Sequence, residues 1–173
     1  MSLQNWYEKG ISATTYMEDL DKHKENFHHI YENFEVPSKD VAFLQGKENV
    51  RVLVLAEAWC GHCMLDIPIL LRTLEAGNIP VKFLRRDENL ELMDQYLVNG
   101  KRYVPIFIFI DENGEELGKW GPMAPEVKQY IDTLTADMPE KDDPAYEAAF
   151  QKMIVEVGEK FTSDKELWNA VYE

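Results

Sequence analysis

The segment from Val50 to Ala58 reads Val-Arg-Val-Leu-Val-Leu-Ala-Glu-Ala, a nearly continuous β-branched and aliphatic run. Such a run lacks the alternation of a half-exposed strand and suits a strand buried on both faces. Directly after it come Trp59-Cys60-Gly61-His62-Cys63, then Met64, Ile67, Leu70, Leu71 and Leu74 at helical spacing up to Ala76-Gly77-Asn78. The chain therefore passes from a central strand into a helix at its two cysteines. Pro68 lies inside the helical pattern, where it removes a backbone donor and crowds the preceding turn, so the helix should bend near Met64 to Asp66 without stopping.

Further along, Val81 to Arg85 is a second strand candidate parallel to the first, and Leu90 to Val98 a short helix. This βαβα alternation implies parallel pairing. Pro105 to Ile110 reads as a strand, Asp111-Glu112-Asn113-Gly114 as a hairpin turn, and Glu116 to Trp120 as the returning strand. Pro125 suits a first helical position, with Val127, Tyr130, Ile131 and Leu134 on the buried side. Before the central strand, Tyr16, Leu20, His23, Phe27, Ile30 and Phe34 predict one helix over about Thr14 to Asn33, ended by Val36-Pro37, with a connecting stretch to Gly46. After a charged connector from Met138 to Pro144, the stripe Tyr146, Phe150, Met153, Val157 and Phe161 predicts another helix. Ser163-Asp164-Lys165-Glu166 reads as a capping box that opens the last one, through Leu167, Trp168 and Val171.

A length of 173 residues suits a single hydrophobic core. The expected organisation is one domain over 1–173, with an N-terminal helical extension (1–45), a core (46–137) and a C-terminal helical extension (138–173). With 32 acidic against 18 basic residues and a net charge of -14, nucleic acid and anionic membranes are disfavoured partners. The apolar runs are far shorter than the ~20 residues a membrane-spanning helix needs. Residues Met1 to Glu8 lack the basic and apolar regions of a secretory signal, so a cytoplasmic location is expected.

Only two cysteines occur, three residues apart, which rules out a disulfide scaffold and points to chemistry. A structural zinc site needs four ligands; no second pair is apparent, and the adjacent His28 and His29 point in different directions on a helix. A thiol at a strand-to-helix junction lies against unpaired backbone N–H groups and the positive end of the helix dipole, which stabilises its thiolate. Cys60 is thus the expected nucleophile. Cys63, one turn later and more buried, is placed to resolve a mixed disulfide. No cofactor or metal is called for.

Trp59-Cys60-Gly61-His62-Cys63 after a buried strand, with Pro68 in the helix, resembles the thioredoxin superfamily. The resemblance covers roughly Val50 to Leu134 by pattern. It implies a thioredoxin-like α/β fold: a central mixed β-sheet of four or five strands flanked by helices, here with extra N- and C-terminal helices. It also implies that Val104-Pro105 is the family's cis-proline loop, that Trp59, Gly61, Val104 and Pro105 contact substrate, and that Gly121 is the glycine beside the active site. His62 between the cysteines is similar to the active site of protein disulfide isomerase. A cationic or hydrogen-bonding imidazole there would lower the Cys60 pKa. The couple would then be more oxidising than thioredoxin's value of about −270 mV, nearer the isomerase's value of about −180 mV.

The chain also departs from that family. Val54 stands where the family carries a buried carboxylate on the central strand, and Phe83 where its partner lysine would be. Glu57, the acid at the end of this apolar strand, is either a buried proton shuttle with a raised pKa or an exposed strand-end carboxylate.

The expected function is thiol-disulfide exchange through the Cys60/Cys63 dithiol. Its partners would be disulfide-containing proteins or small thiols and an unidentified electron donor, with the chain a monomer or weak dimer. The competing expectation is a thioredoxin-like binding or chaperone module whose terminal helices capture partners while the dithiol is incidental.

Overall fold

The computed structural model describes residues 2–173. Its sheet has four strands: β1 (Arg51–Ala56), β2 (Val81–Arg85), β3 (Ile106–Ile110) and β4 (Glu116–Trp120), in the spatial order β2-β1-β3-β4. β1 pairs parallel with β2 and antiparallel with β3, and β3 pairs antiparallel with β4. The sheet is mixed, as expected. Residues Val52 to Ala56 are buried without interruption, which accounts for the apolar run: both faces of β1 are covered. Ile11 adds a single antiparallel bridge to Phe83 at the β2 edge.

The helix after β1, labelled α5 (Gly61–Ala76), carries the two cysteines at its start and continues through Pro68. It follows α1 (Leu3–Lys9), α2 (Ala13–Glu18), α3 (Lys24–Asn33) and α4 (Ser38–Gln45), and precedes α6 (Leu90–Met93), α7 (Pro125–Ala136), α8 (Tyr146–Ser163) and α9 (Lys165–Tyr172). Helices α3, α4, α8 and α9 pack around α5. One cluster of buried side chains joins Tyr16, Phe27 and Ile30 of the N-terminal segment, Phe161 and Trp168 of the C-terminal segment, and the strand residues. Each fully buried large apolar side chain contributes about 1.5–3 kcal/mol, so both extensions are part of what holds the sheet and α5 together. No helix among the described residues is long and apolar enough to cross a membrane.

Several local expectations are corrected. The helix predicted over Thr14 to Asn33 is two helices, broken between Asp19 and His23, although Tyr16, Leu20, Phe27, Ile30 and Phe34 are all buried as the period required. Tertiary contacts hold the break: Asp19 forms an ion pair with Arg85, and His23 hydrogen-bonds the backbone of Trp59. The stretch before Gly46, read as a connection, contains α4. Pro37 stands at the N-cap position of α4, three residues past the C-cap of α3, and no residue of α4 is buried, so no apolar period marks it. The helix from Leu90 stops at Met93, and Asn99 and Gly100 adopt positive φ in the loop that follows. The last helix is capped by Asp164, whose side chain accepts from the amides of Glu166 and Leu167. Ser163 instead donates to the Glu159 carbonyl of the preceding helix.

Candidate active site

The central strand β1 ends at Ala56, and α5 begins five residues later, so Cys60 becomes the N-cap of α5. Its sulfur accepts a hydrogen bond from the Cys63 amide at 3.4 Å, the place an N-cap oxygen normally takes. The Cys60 thiol donates to the Val104 carbonyl at 3.4 Å. Both cysteines are free thiols; Cys60 is 7% exposed and Cys63 1%.

Their electrostatic settings differ in sign. A hydrogen bond with the Cys63 side chain, helped by the amides of Cys63 and His62 and the positive charge of Arg86, holds the Cys60 pKa below that of an ordinary thiol, against the effect of burial. Burial pushes the Cys63 thiol well up, and its hydrogen bond with Cys60 and the charges of Cys60 and Asp66 push the same way. The first sulfur favours the thiolate and the second the thiol.

The peptide bond between Val104 and Pro105 is cis, and this loop closes over Cys60 through the Val104 carbonyl. Gly121 has φ of +125°, and a Cβ there would stand 2.1 Å from the Pro105 carbonyl oxygen, so only glycine admits this approach. Gly121 therefore reaches the site through Pro105. Trp59 is 47% exposed on the rim, with the Arg86 guanidinium 4.7 Å from its ring centre. Gly61, the first residue of α5, has open space where a Cβ would be.

Of the two expected tuning groups, Glu57 has the buried setting and raised pKa of the first of its two readings. At His62, where a cationic or hydrogen-bonding imidazole is expected, burial lowers the pKa, Nδ1 is buried without a partner among the described residues, and the ring lies 5.9 Å from that of Phe161 on α8. What His62 gives Cys60 is its backbone amide. Glu57 is neither exposed nor turned to the sulfurs with its carboxylate. It is 7% exposed, its Oε1 accepts from the Asp87 amide at 2.9 Å, and burial raises its pKa. The Glu57 main chain meets the dithiol turn through its carbonyl, which accepts from the Cys60 amide at 3.3 Å.

Four further residues belong to the site. Asp66, on α5, is fully buried with no partner for either carboxylate oxygen among the described residues; burial, and then the charge of Cys60, hold its pKa well above the usual carboxylate range. Its spacing of three from Cys63 was legible, since residues i and i+3 share a helix face. Tyr16 of α2 is 2% exposed; its ring stacks on Phe83 at 4.7 Å and its hydroxyl donates to the Glu57 carbonyl at 3.2 Å. His23 donates from Nε2 to the Trp59 carbonyl at 3.0 Å. Arg86, just after β2, bears on both Trp59 and Cys60. Nothing in the local sequence placed Tyr16, His23 or Arg86 here.

A family model described as thioredoxin matches residues 10–137, most of the chain. The chain belongs to the thioredoxin family. The match begins in the N-terminal segment, well before the region in which the motif resemblance is visible by eye. Among solved structures, a Pseudomonas aeruginosa protein of unknown function is similar over 99% of this chain and 97% of its own, with 18% identity and a TM-score of 0.65. A protein described as an HIV epitope-scaffold is similar over 99% of this chain and 98% of its own, with 18% identity and a TM-score of 0.64. These two share the whole thioredoxin-like fold of this chain, terminal helices included. A mutant thioredoxin from Halobacterium salinarum NRC-1 is also similar, with 22% identity, 56% of this chain and 84% of its own covered, and a TM-score of 0.35. No curated protein matches the chain.

Within this thioredoxin-family site, the positions where a carboxylate and a lysine were expected are direct register partners, Val54 beside Phe83 on neighbouring strands. Both are buried, and Tyr16 covers Phe83. The polar groups near the inner sulfur come instead from α5 and from the N-terminal segment.

Proposed function

We propose that this chain is a thiol-disulfide oxidoreductase in which Cys60 attacks a substrate disulfide and Cys63 resolves the mixed disulfide. The observation that carries this reading is the opposed setting of two adjacent free thiols, one at the helix start with a lowered pKa and one buried with a raised pKa. In the first step the Cys60 thiolate forms a bond to one substrate sulfur, and the other leaves as a thiolate that takes up a proton. In the second, Cys63 loses its proton and its sulfur bonds to that of Cys60, releasing the remaining substrate thiolate. The substrate gains two electrons and the dithiol loses two.

The proton on Cys63 needs an acceptor that bulk water cannot reach. Asp66 fills this role: a carboxyl with a raised pKa is a stronger base than an ordinary one, and it lies one turn further along the same helix. Trp59, Gly61, Val104, Pro105 and Gly121 form the surface that receives the substrate. Val104 offers a backbone carbonyl already engaged with Cys60, and Trp59 an exposed aromatic ring. His62 and Glu57 tune the dithiol through their main chains. The substrates are disulfide-bearing proteins or small thiols, an external thiol reductant regenerates the pair, and the cytoplasm is the compartment. The chain acts as one unit over 1–173, a reading supported by the shared core that includes both extensions.

Insulin reduction by the wild type and by Cys60→Ser tests this. Turnover in the wild type and none in the variant is the expected result. Equal, negligible turnover in both would sink the enzyme and leave a partner-binding module.

A further inference from the structure

The N-terminal segment reaches past the core to the turn that presents Cys60. It is fastened to β2 first: Ile11 exchanges two backbone hydrogen bonds with Phe83, each 2.8 Å, and Asp19 forms an ion pair with Arg85. From this base two side chains extend to residues 57–60. The Tyr16 hydroxyl donates to the Glu57 carbonyl at 3.2 Å, and His23 Nε2 donates to the Trp59 carbonyl at 3.0 Å. Both donors are themselves held. The Tyr16 ring stacks on Phe83 at 4.7 Å with planes 8° apart and meets Phe27 at 6.2 Å. His23 stands at the N-cap position of α3, where a serine, threonine, asparagine or aspartate side chain ordinarily accepts from the first turn. The imidazole makes no such bond and is turned across to Trp59 instead.

We propose that His23 and Tyr16 are positioning residues, which hold the peptide plane between Trp59 and Cys60 at both ends and so keep the Cys60 sulfur on the start of α5. This rests on the oxidoreductase reading above. A trans peptide unit is planar, with its carbonyl and its N–H pointing in opposite directions. In this unit the carbonyl is held by His23. Its N–H, which belongs to Cys60, donates at 3.3 Å to the Glu57 carbonyl that Tyr16 also holds. With the plane fixed, the Cys60 side chain is aimed by its own φ, -82° in extended N-cap backbone, and the sulfur comes 3.4 Å from the Cys63 amide.

The role suits the place. Residues 57–60 lie between β1 and α5, so the regular hydrogen-bond ladders end before them and begin after them. A Trp59 carbonyl released by its donor is free to turn, and the Cys60 sulfur then drifts from the helix-start amides that stabilise its thiolate. The thiolate is the attacking form, so loss of this placement lowers reactivity directly.

His23→Leu removes the donor, and His23→Gln keeps one, because its side-chain amide nitrogen reaches the position of Nε2. Iodoacetamide alkylation of Cys60, followed across pH by mass spectrometry, reads the sulfur without any turnover. In His23→Leu the alkylation profile should move to higher pH and the rate at neutral pH fall about fivefold, whereas His23→Gln should stay within about twofold of the wild type. Tyr16→Phe, which keeps the ring and its stacking, should move the profile in the same direction as His23→Leu. An unmoved profile in either of these two variants overturns the proposal. So does equal slowing in His23→Leu and His23→Gln, which would make His23 a packing residue. Because Tyr16→Phe removes one hydroxyl only, it decides the matter even where His23→Leu folds poorly. Insulin reduction separates the two claims: a wild type that reduces no insulin while both variants shift the profile defeats the oxidoreductase reading and leaves the grip on Cys60 standing.

Discussion

Cys60 and Cys63 share a helical turn and a hydrogen bond, and almost nothing else. Cys60 caps α5, with backbone amides around it, a carbonyl from the cis-proline loop against it and Trp59 on the open rim. Cys63 is 1% exposed, its thiol pushed up by burial and by the charges of Cys60 and Asp66, the latter a buried carboxyl without a partner among the described residues. The difference teaches that the two thiols are made unequal by what each faces. Donors from the start of a helix stabilise charge on one, and loss of water opposes charge on the other.

The largest test of this inequality removes the outer sulfur. Cys60→Ser should lower disulfide reduction by at least about a thousandfold, because the nucleophile is lost and Cys63 is not accessible to replace it. Residual turnover near wild type would mean that the buried sulfur reacts directly. Removing the inner sulfur should have a different signature. Cys63→Ser should still attack once and then stall, leaving a long-lived covalent adduct on Cys60 that mass spectrometry counts at one per chain.

Asp66→Leu separates chemistry from folding on the inner side. A buried carboxyl with no hydrogen-bond partner opposes folding, so its replacement by an apolar side chain of similar volume should raise stability in urea by about 1–3 kcal/mol while slowing turnover. The pH dependence has a definite sign. Asp66 has a folded pKa raised above its unfolded value, so the native state binds more protons between 3.8 and the raised value. Wild-type stability should fall as pH climbs through that interval, and the Leu variant should lose most of that slope. Glu57, also raised by burial, adds a slope of the same sign that the variant retains.

The smallest effect belongs to the rim. Arg86→Ala should slow iodoacetamide alkylation of Cys60 at neutral pH by about threefold or less, and added salt should shrink the gap, since Arg86 is the weakest of the groups favouring the thiolate. A tenfold loss would show that the side-chain charge outweighs the helix-end amides.

Features built from contiguous residues are legible in the sequence because their geometry is local. The buried run of β1, the dithiol at the start of α5 and the hairpin through Asn113-Gly114 each appear where the pattern placed them. Asp66 is legible as the acid on an apolar helix face, whereas the family pattern puts its buried carboxylate on the strand, at the position of Val54. The setting of His62 is not local: its neighbour in space, Phe161, is almost one hundred residues on, and burial lowers the imidazole pKa.

By itself the sequence determined the strand-to-helix junction, the pairing of the two thiols and the mixed sheet that carries them, since hydrophobic period, helix capping and turn chemistry act over a few residues. Only the tertiary structure decided what surrounds the dithiol. Tyr16, His23 and Phe161 reach its neighbourhood from segments whose periodicity signals helix and core but not address. Desolvation and long-range hydrogen bonds depend on which surfaces meet, and that is settled when the chain closes on itself.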